Sequence, residues 1–160
     1  MYGLSPFGLA RDLDIDTSTA SSYIQEYFEH YDGVRNYLDS LIEKAKEDKF
    51  VQTMFGRKRN LPFINSNNKR MLASAVREAI NMPAQGSQAD LMKFAMILVN
   101  NLVEKKYQNK IHVLLQIHDE LVVEVANDTE NNFLPEAKSI MENVIELAVP
   151  LKVNVSSWNE

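Results

Sequence analysis

The sequence contains no cysteine, which excludes a disulfide framework and any zinc site built on thiolates. A reducing compartment is compatible with this and is not required by it. No run approaches the roughly 18 apolar residues needed to span a bilayer. The first residues hold no apolar core of the signal-peptide kind, so the expected setting is the cytoplasm, with no membrane partner. Internal repeats, low-complexity tracts and linkers are missing too. Acidic residues are absent from one long segment. It carries seven basic side chains (Lys49, Arg57, Lys58, Arg59, Lys69, Arg70 and Arg77) and no Asp or Glu. That segment holds +7 and the rest −12, which together give the net −5. Sign asymmetry of this size marks a surface that faces a polyanion. A solvated basic loop beside acidic helices would look the same.

The 160 residues, 45% apolar and 24% charged, are one ordinary globular domain's worth of material. Ser5 caps a short helix to Leu13 with Pro6 in its first turn, and a second helix starts at Asp16 or Thr17. Ile24, Tyr27, Phe28 and Tyr31 recur at helical spacing and are expected in the core. Val34, Leu38, Leu41, Ile42 and Ala45 continue the pattern after a break at Asp32-Gly33. Phe50 to Pro62 reads as a short hairpin turning at Gly56. A helix over about Lys69 to Asn81 follows the cap-rich stretch Asn65–Asn68, and Met82-Pro83 is expected to break it. After Gly86-Ser87 a long helix presents Met92, Ala95, Met96, Val99, Leu102 and Val103 as one stripe. A strand pair comes next, then a helix from about Glu130 to Leu147 and a last strand, Leu151 to Val155. The expected fold is one compact α+β unit, mostly helical, with a small antiparallel sheet.

In that strand pair Ile111, Val113, Leu115 and Ile117 alternate with His112, Leu114 and Gln116, and Leu121, Val123 and Val125 resume beyond a three-residue break. Period-2 patterning on both sides predicts an antiparallel hairpin with His118, Asp119 and Glu120 at its tip. Asp and Glu are poor strand formers, so the tip presents two carboxylates on a rigid turn. Such hard oxygen ligands suit Mg²⁺, which takes few protein ligands and leaves room for substrate phosphates. A plain polar turn is the simpler reading of these three residues. In Arg77-Glu-Ala-Ile-Asn81-Met-Pro-Ala-Gln85, three long polar side chains stand four apart and share a helix face. Arg, Asn and Gln suit phosphate, sugar and base-edge contacts, although an exposed helix face needs no ligand at all.

These residues carry a resemblance. The chain resembles, end to end, the C-terminal part of family A DNA polymerases, the bacterial DNA polymerase I type. Tyr2-Gly3-Leu4-Ser5-Pro6-Phe7-Gly8-Leu9-Ala10 resembles the end of the fingers motif. Phe55-Gly56-Arg57-Lys58-Arg59 resembles the basic hairpin, and REAINMPAQGSQADLMKFAM from Arg77 to Met96 the palm helix pair. QIHDELVV from Gln116 to Val123 is similar to the third polymerase motif, and Val149 to Val155 to the closing strand. The resemblance implies fingers-derived helices over about 1–48, then the basic hairpin and palm over about 49–160, with no separate nuclease domain. It implies that Asp119 binds the catalytic metal pair, two Mg²⁺ in the complete site, and that Glu120 lends a supporting carboxylate. His118 would lie near the primer terminus, with Arg77, Asn81 and Gln85 on the duplex near its growing end. Arg57 and Arg59 of the basic hairpin would also face DNA, and Tyr2 would pack at the templating position. Ser87 and Gln88 stand where relatives often have Thr and Ala.

The family's other metal-binding Asp, and the fingers residues that hold the triphosphate, correspond to positions upstream of Met1. The expectation is therefore an N-terminally truncated part of a DNA-directed DNA polymerase of replication or repair. Its partners would be primer–template DNA, deoxynucleoside triphosphates and the missing N-terminal part. Alone, it is expected to be inactive. The competing expectations are a non-catalytic nucleic-acid-binding module or one half of a split polymerase. A phosphohydrolase centre using His118, Asp119, His30 and His112 is the third, and the separation of His30 from the hairpin speaks against it.

Overall fold

In the computed structural model, which describes residues 5–158, the chain forms two compact units, one ending at Ser87 and the other beginning at Gln88. The fold is α+β and mostly helical, as expected, with two small antiparallel sheets. Two separate clusters of buried side chains account for two units in place of one. Among the described residues no helix is long and apolar enough to cross a membrane.

The first unit opens with α1 (Pro6–Leu13) and α2 (Thr17–His30). Ser5 caps α1 by accepting from the Gly8 N–H at 3.1 Å, and Asp16 caps α2 by accepting from the Thr19 N–H at 2.9 Å. Hydrogen bonds from Ser18 and Thr19 hold the Asp16 carboxyl well below the usual carboxylate range. Helix α3 (Asp32–Asp48) ends at Lys49 in left-handed geometry, φ 63°. The aromatics expected in the core are not there: Ile24, Tyr27 and Phe28 are half-buried and Tyr31 is exposed. The fully enclosed positions on these helices are instead the alanines Ala10, Ala20 and Ala45. Small side chains let the helices approach closely, and the rings are left at the margin, where Tyr27 meets Phe28 edge-on and Tyr31 at a tilt.

Strands β1 (Phe50–Gln52) and β2 (Lys58–Asn60) pair antiparallel, with Val51 opposite Arg59. Gly56 takes the turn at φ 81°, a conformation open to glycine without penalty. Behind them Val51, Leu61 and Ile64 pack with Ala45, Ala75, Ala79 and Met82. Burying a leucine or isoleucine this completely contributes about 1.5–3 kcal/mol each. Asn68 Oδ1 then accepts from the Arg70 N–H, as its capping composition predicts.

Helix α4 runs unbroken from Lys69 to Lys106 with Pro83 inside it, which corrects the expected break at Met82-Pro83. An interior proline removes one hydrogen bond and costs about 3 kcal/mol. Ala79, whose carbonyl loses that bond, and Met82, beside the proline, are buried in the core, and their packing outweighs the local preference.

In the second unit Val99 and Val103 of α4 pack with Tyr107, Ile111 and Phe133. Strands β3 (Ile111–Ile117) and β4 (Glu120–Val125) pair antiparallel, and α5 (Glu130–Glu142) lays Phe133, Leu134, Ala137, Ile140 and Met141 on the same cluster. Helix α5 stops short of the expected Leu147, because Asn143 caps it with both its backbone N–H and its side-chain amide on the Ser139 carbonyl. Leu151 to Val155 form no strand, another correction. There the Val153 N–H donates to the Glu142 carboxylate at 2.9 Å in place of a ladder bond. Trp158, the single tryptophan, is 74% exposed.

Candidate nucleic-acid interface and metal hairpin

Ile117 pairs with Glu120, so the loop of the β3–β4 hairpin is the two residues His118 and Asp119. Glu120 therefore opens β4 and does not share the tip, contrary to the three-residue break. Two-residue hairpin loops need a positive φ at a central residue, and His118 supplies it at 54°. The Gln116 side-chain amide donates to the His118 carbonyl and ties the turn down. The side chains of His118, Asp119 and Glu120 are exposed. No described residue bonds to either carboxylate, so both are available to a ligand.

The register shifts between Val113 and Leu115, leaving Leu114 as a bulge. A bulge reverses the alternation beyond it. Val113, before the bulge, packs on the core, while Leu115 and Ile117 beyond it, expected on the same face, are exposed.

The first unit holds the other expected contacts. Arg57, Arg59, Arg77 and Gln85 are exposed, as are the remaining basic residues from Lys49 to Arg70. Arg57 Nη2 donates to the Gly86 carbonyl at 3.0 Å, and Arg59 donates through Nε and Nη2 to Glu78 Oε2 at 2.9 and 2.7 Å. Lys58 Nζ stands 4.2 Å from the centre of the Phe50 ring. Asn81 departs from the exposed row: it is half-buried, and its Oδ1 is sealed from solvent with no hydrogen-bond donor among the described residues. The sequence reading missed what lies beneath the row, where Thr53, Gly86 and Ser87 join the β1–β2 turn to α4. A glycine inside an otherwise helical pattern was the available signal of a close approach.

Tyr2 lies outside the described residues. His30 packs edge-on against Tyr31 in the first unit, and His112 in the second pairs with Glu124 across the sheet. Among the described residues no group of three or more His, Asp or Glu side chains is gathered to hold a metal. The hairpin offers two carboxylates. That donor set fits a hard divalent cation as part of a coordination shell, with the remaining ligands coming from elsewhere.

The sequence matches the family description "DNA polymerase family A" over residues 1–160. It is 43% identical over 154 residues to DNA polymerase I of Lactococcus lactis subsp. cremoris (strain MG1363), covering 96% of this chain and 17% of the relative. DNA polymerase I of Rhizobium leguminosarum is 41% identical over 168 residues, covering 100% of this chain and 16% of the relative. The chain thus spans about a sixth of the length of these curated relatives. A solved structure, the POL domain of Pol1 from M. smegmatis in complex with DNA primer-template and dNTP, superposes with a TM-score of 0.88 at 38% identity. The match covers 94% of this chain and 26% of that one.

Proposed function

The chain belongs to DNA polymerase family A, and on that premise we propose that it serves template-directed nucleotidyl transfer to a primer 3′ end in DNA replication or repair. The observation that carries the reading is Asp119: a carboxylate on a pinned two-residue turn, exposed and bonded to no described residue. In the reaction the primer 3′-oxygen bonds to the α-phosphorus of a deoxynucleoside triphosphate and pyrophosphate leaves. Two Mg²⁺ ions, when bound, stabilise charge on the attacking and leaving oxygens. Asp119 would hold them from the hairpin side, and Glu120, beside it on β4, would support that carboxylate.

His118 would approach the primer terminus. Arg77, Asn81 and Gln85 would contact the duplex near its growing end, and Arg57 and Arg59 would add phosphate contacts. Tyr2 would pack at the templating position. In this reading residues up to about 48 derive from the fingers and the remainder from the palm with its basic hairpin. The setting proposed with it is the cytoplasm.

The test is Asp119→Asn in the full-length protein, with Glu120→Gln alongside. Loss of a metal-holding carboxylate withdraws several kcal/mol of transition-state stabilisation, so extension should fall about a thousandfold or more while the melting temperature holds. Glu120→Gln should be milder. Extension near the unsubstituted rate in Asp119→Asn would sink the assignment, and duplex binding that persists without any Asp119-dependent extension would favour the non-catalytic binding module.

A further inference from the structure

Ser87 is a buried hydroxyl with two simultaneous partners. Its Oγ donates to the Pro83 carbonyl one turn back on α4, and it accepts from the Met54 N–H, in the β1–β2 turn, at 2.9 Å. A hydroxyl has one proton to give and two lone pairs to receive, so the two bonds use different parts of the same group. The neighbouring contacts point the same way. The Gly86 carbonyl accepts from Arg57 Nη2. Thr53, 3% exposed, accepts the Arg57 N–H through Oγ1 at 3.1 Å and returns its own N–H to the Arg57 carbonyl at 2.9 Å. A Cβ on Gly86 would stand 2.8 Å from Thr53 Cγ2, so the missing side chain is what lets the turn sit this close. Further along, Arg59 reaches Glu78 on α4. The basic hairpin is therefore fastened to α4 at Glu78, Gly86 and Ser87, alongside the row Arg77, Asn81 and Gln85.

We propose that Ser87 is a positioning residue: its hydroxyl sets the basic hairpin against the turn of α4 that carries Gln85, so that the arginines and the helix row grip duplex nucleic acid as one surface. The proposal rests on the reading above that these side chains contact DNA. Alanine at this position removes the only side-chain acceptor that Met54 N–H has among the described hydrogen bonds, and frees the hairpin to shift. Threonine keeps the hydroxyl on the same backbone atom.

The experiment compares Ser87→Ala, Ser87→Thr, the pair Arg57→Gln with Arg59→Gln, and that pair combined with Ser87→Ala, all in the full-length protein. Three quantities are read: amide exchange at Met54, dissociation constant for a primer–template duplex across a salt series, and extension rate at saturating duplex. Ser87→Ala is expected to deprotect the Met54 amide and weaken duplex binding about tenfold, the worth of one buried hydrogen bond, with kcat little changed. Ser87→Thr should restore protection and affinity together. In the arginine-neutralised background Ser87→Ala should add no further loss, because it acts through those side chains. Native duplex affinity in Ser87→Ala despite a deprotected amide overturns the proposal, as does a fully additive loss in that background. If the arginine pair alone changes neither affinity nor salt dependence, the nucleic-acid reading of the hairpin fails and this proposal with it. If the pair weakens binding while Ser87→Ala does not, the clamp alone fails. Should Ser87→Ala not fold, Ser87→Cys, of similar size and a weak acceptor, carries the same comparison.

Discussion

Asn81 keeps a side-chain oxygen out of solvent without a donor among the described residues to meet it. An unmet buried polar atom costs about 1–3 kcal/mol, so Asn81→Ala should melt at the same temperature as the unsubstituted protein or slightly higher. Under the proposed function the same variant should extend primers poorly, since the amide then has a use only when nucleic acid is present. A lower melting temperature with normal extension would make Asn81 structural. Gly86 gives the opposite balance. Alanine is worth about 1 kcal/mol over glycine in a helix interior, yet the new Cβ meets the methyl of a buried, β-branched Thr53 at 2.8 Å. That methyl has little room to move, and overpacking costs about 1–3 kcal/mol. Gly86→Ala should therefore lower the melting temperature, and an increase would show that the hairpin yields easily.

Among the elements, the β1–β2 hairpin has the most to offer a polyanion. Each phosphate contact contributes about 0.9 to the slope of log affinity against log salt on duplex DNA. Neutralising Arg57 and Arg59 together should flatten that slope measurably. An unchanged slope would leave these charges as solvated partners of Gly86 and Glu78. The hairpin was legible in the sequence because Gly56 marks its turn and the β-forming Phe50 and Val51 its first arm. So were α1, α2 and the start of α4, whose capping residues Ser5, Asp16 and Asn68 act on N–H groups two or three positions away. What escaped was decided at long range. Leu114 and Leu115 are both apolar, so nothing in the alternation betrays a bulge there; the pairing partner fixes it. Pro83 reads as a helix stop until the burial of Ala79 and Met82 is known. The aromatics of α2 look like core because periodicity reports a face and says nothing of what covers it. For the candidate site, Asp119 was legible from its turn and from the family resemblance, whereas the Ser87 and Thr53 contacts join residues more than thirty positions apart.

For the whole molecule, each unit has its own apolar cluster, and ionic contacts at the periphery set its response to pH. In the second unit Lys106 donates to Glu136, joined there by the Tyr107 hydroxyl at 3.2 Å. The Lys106 hydrogen bond holds the Glu136 carboxyl below its ordinary 4.5, and the same bond raises the Lys106 ammonium above its ordinary 10.5. Glu136's contribution is thus present above pH 4.5 and lost as pH falls through its lower folded value. Lys106's is present below pH 10.5 and lost as pH rises through its higher one. The pair's contribution to the melting temperature should be level between these limits, and Glu136→Gln should soften the acid-side fall. An identical acid limb in the variant would assign that fall to other carboxylates, Asp16 first. The purified chain, offered Mg²⁺, a primed template and all four deoxynucleotides, should give no extension, because Asp119 and Glu120 do not make a two-ion site alone. Extension that disappears in Asp119→Ala would mean that other residues of this chain complete it.

The solitary indole has a consequence for how such melting is observed. Trp158 already faces water in the folded chain, so its emission has almost no distance to travel on unfolding, and a fluorescence melt followed at the indole would be nearly silent while the helices come apart. The same exposure leaves it open to collisional quenchers. Backbone ellipticity carries the folding signal here, and the indole is free to report on whatever docks beside the tail.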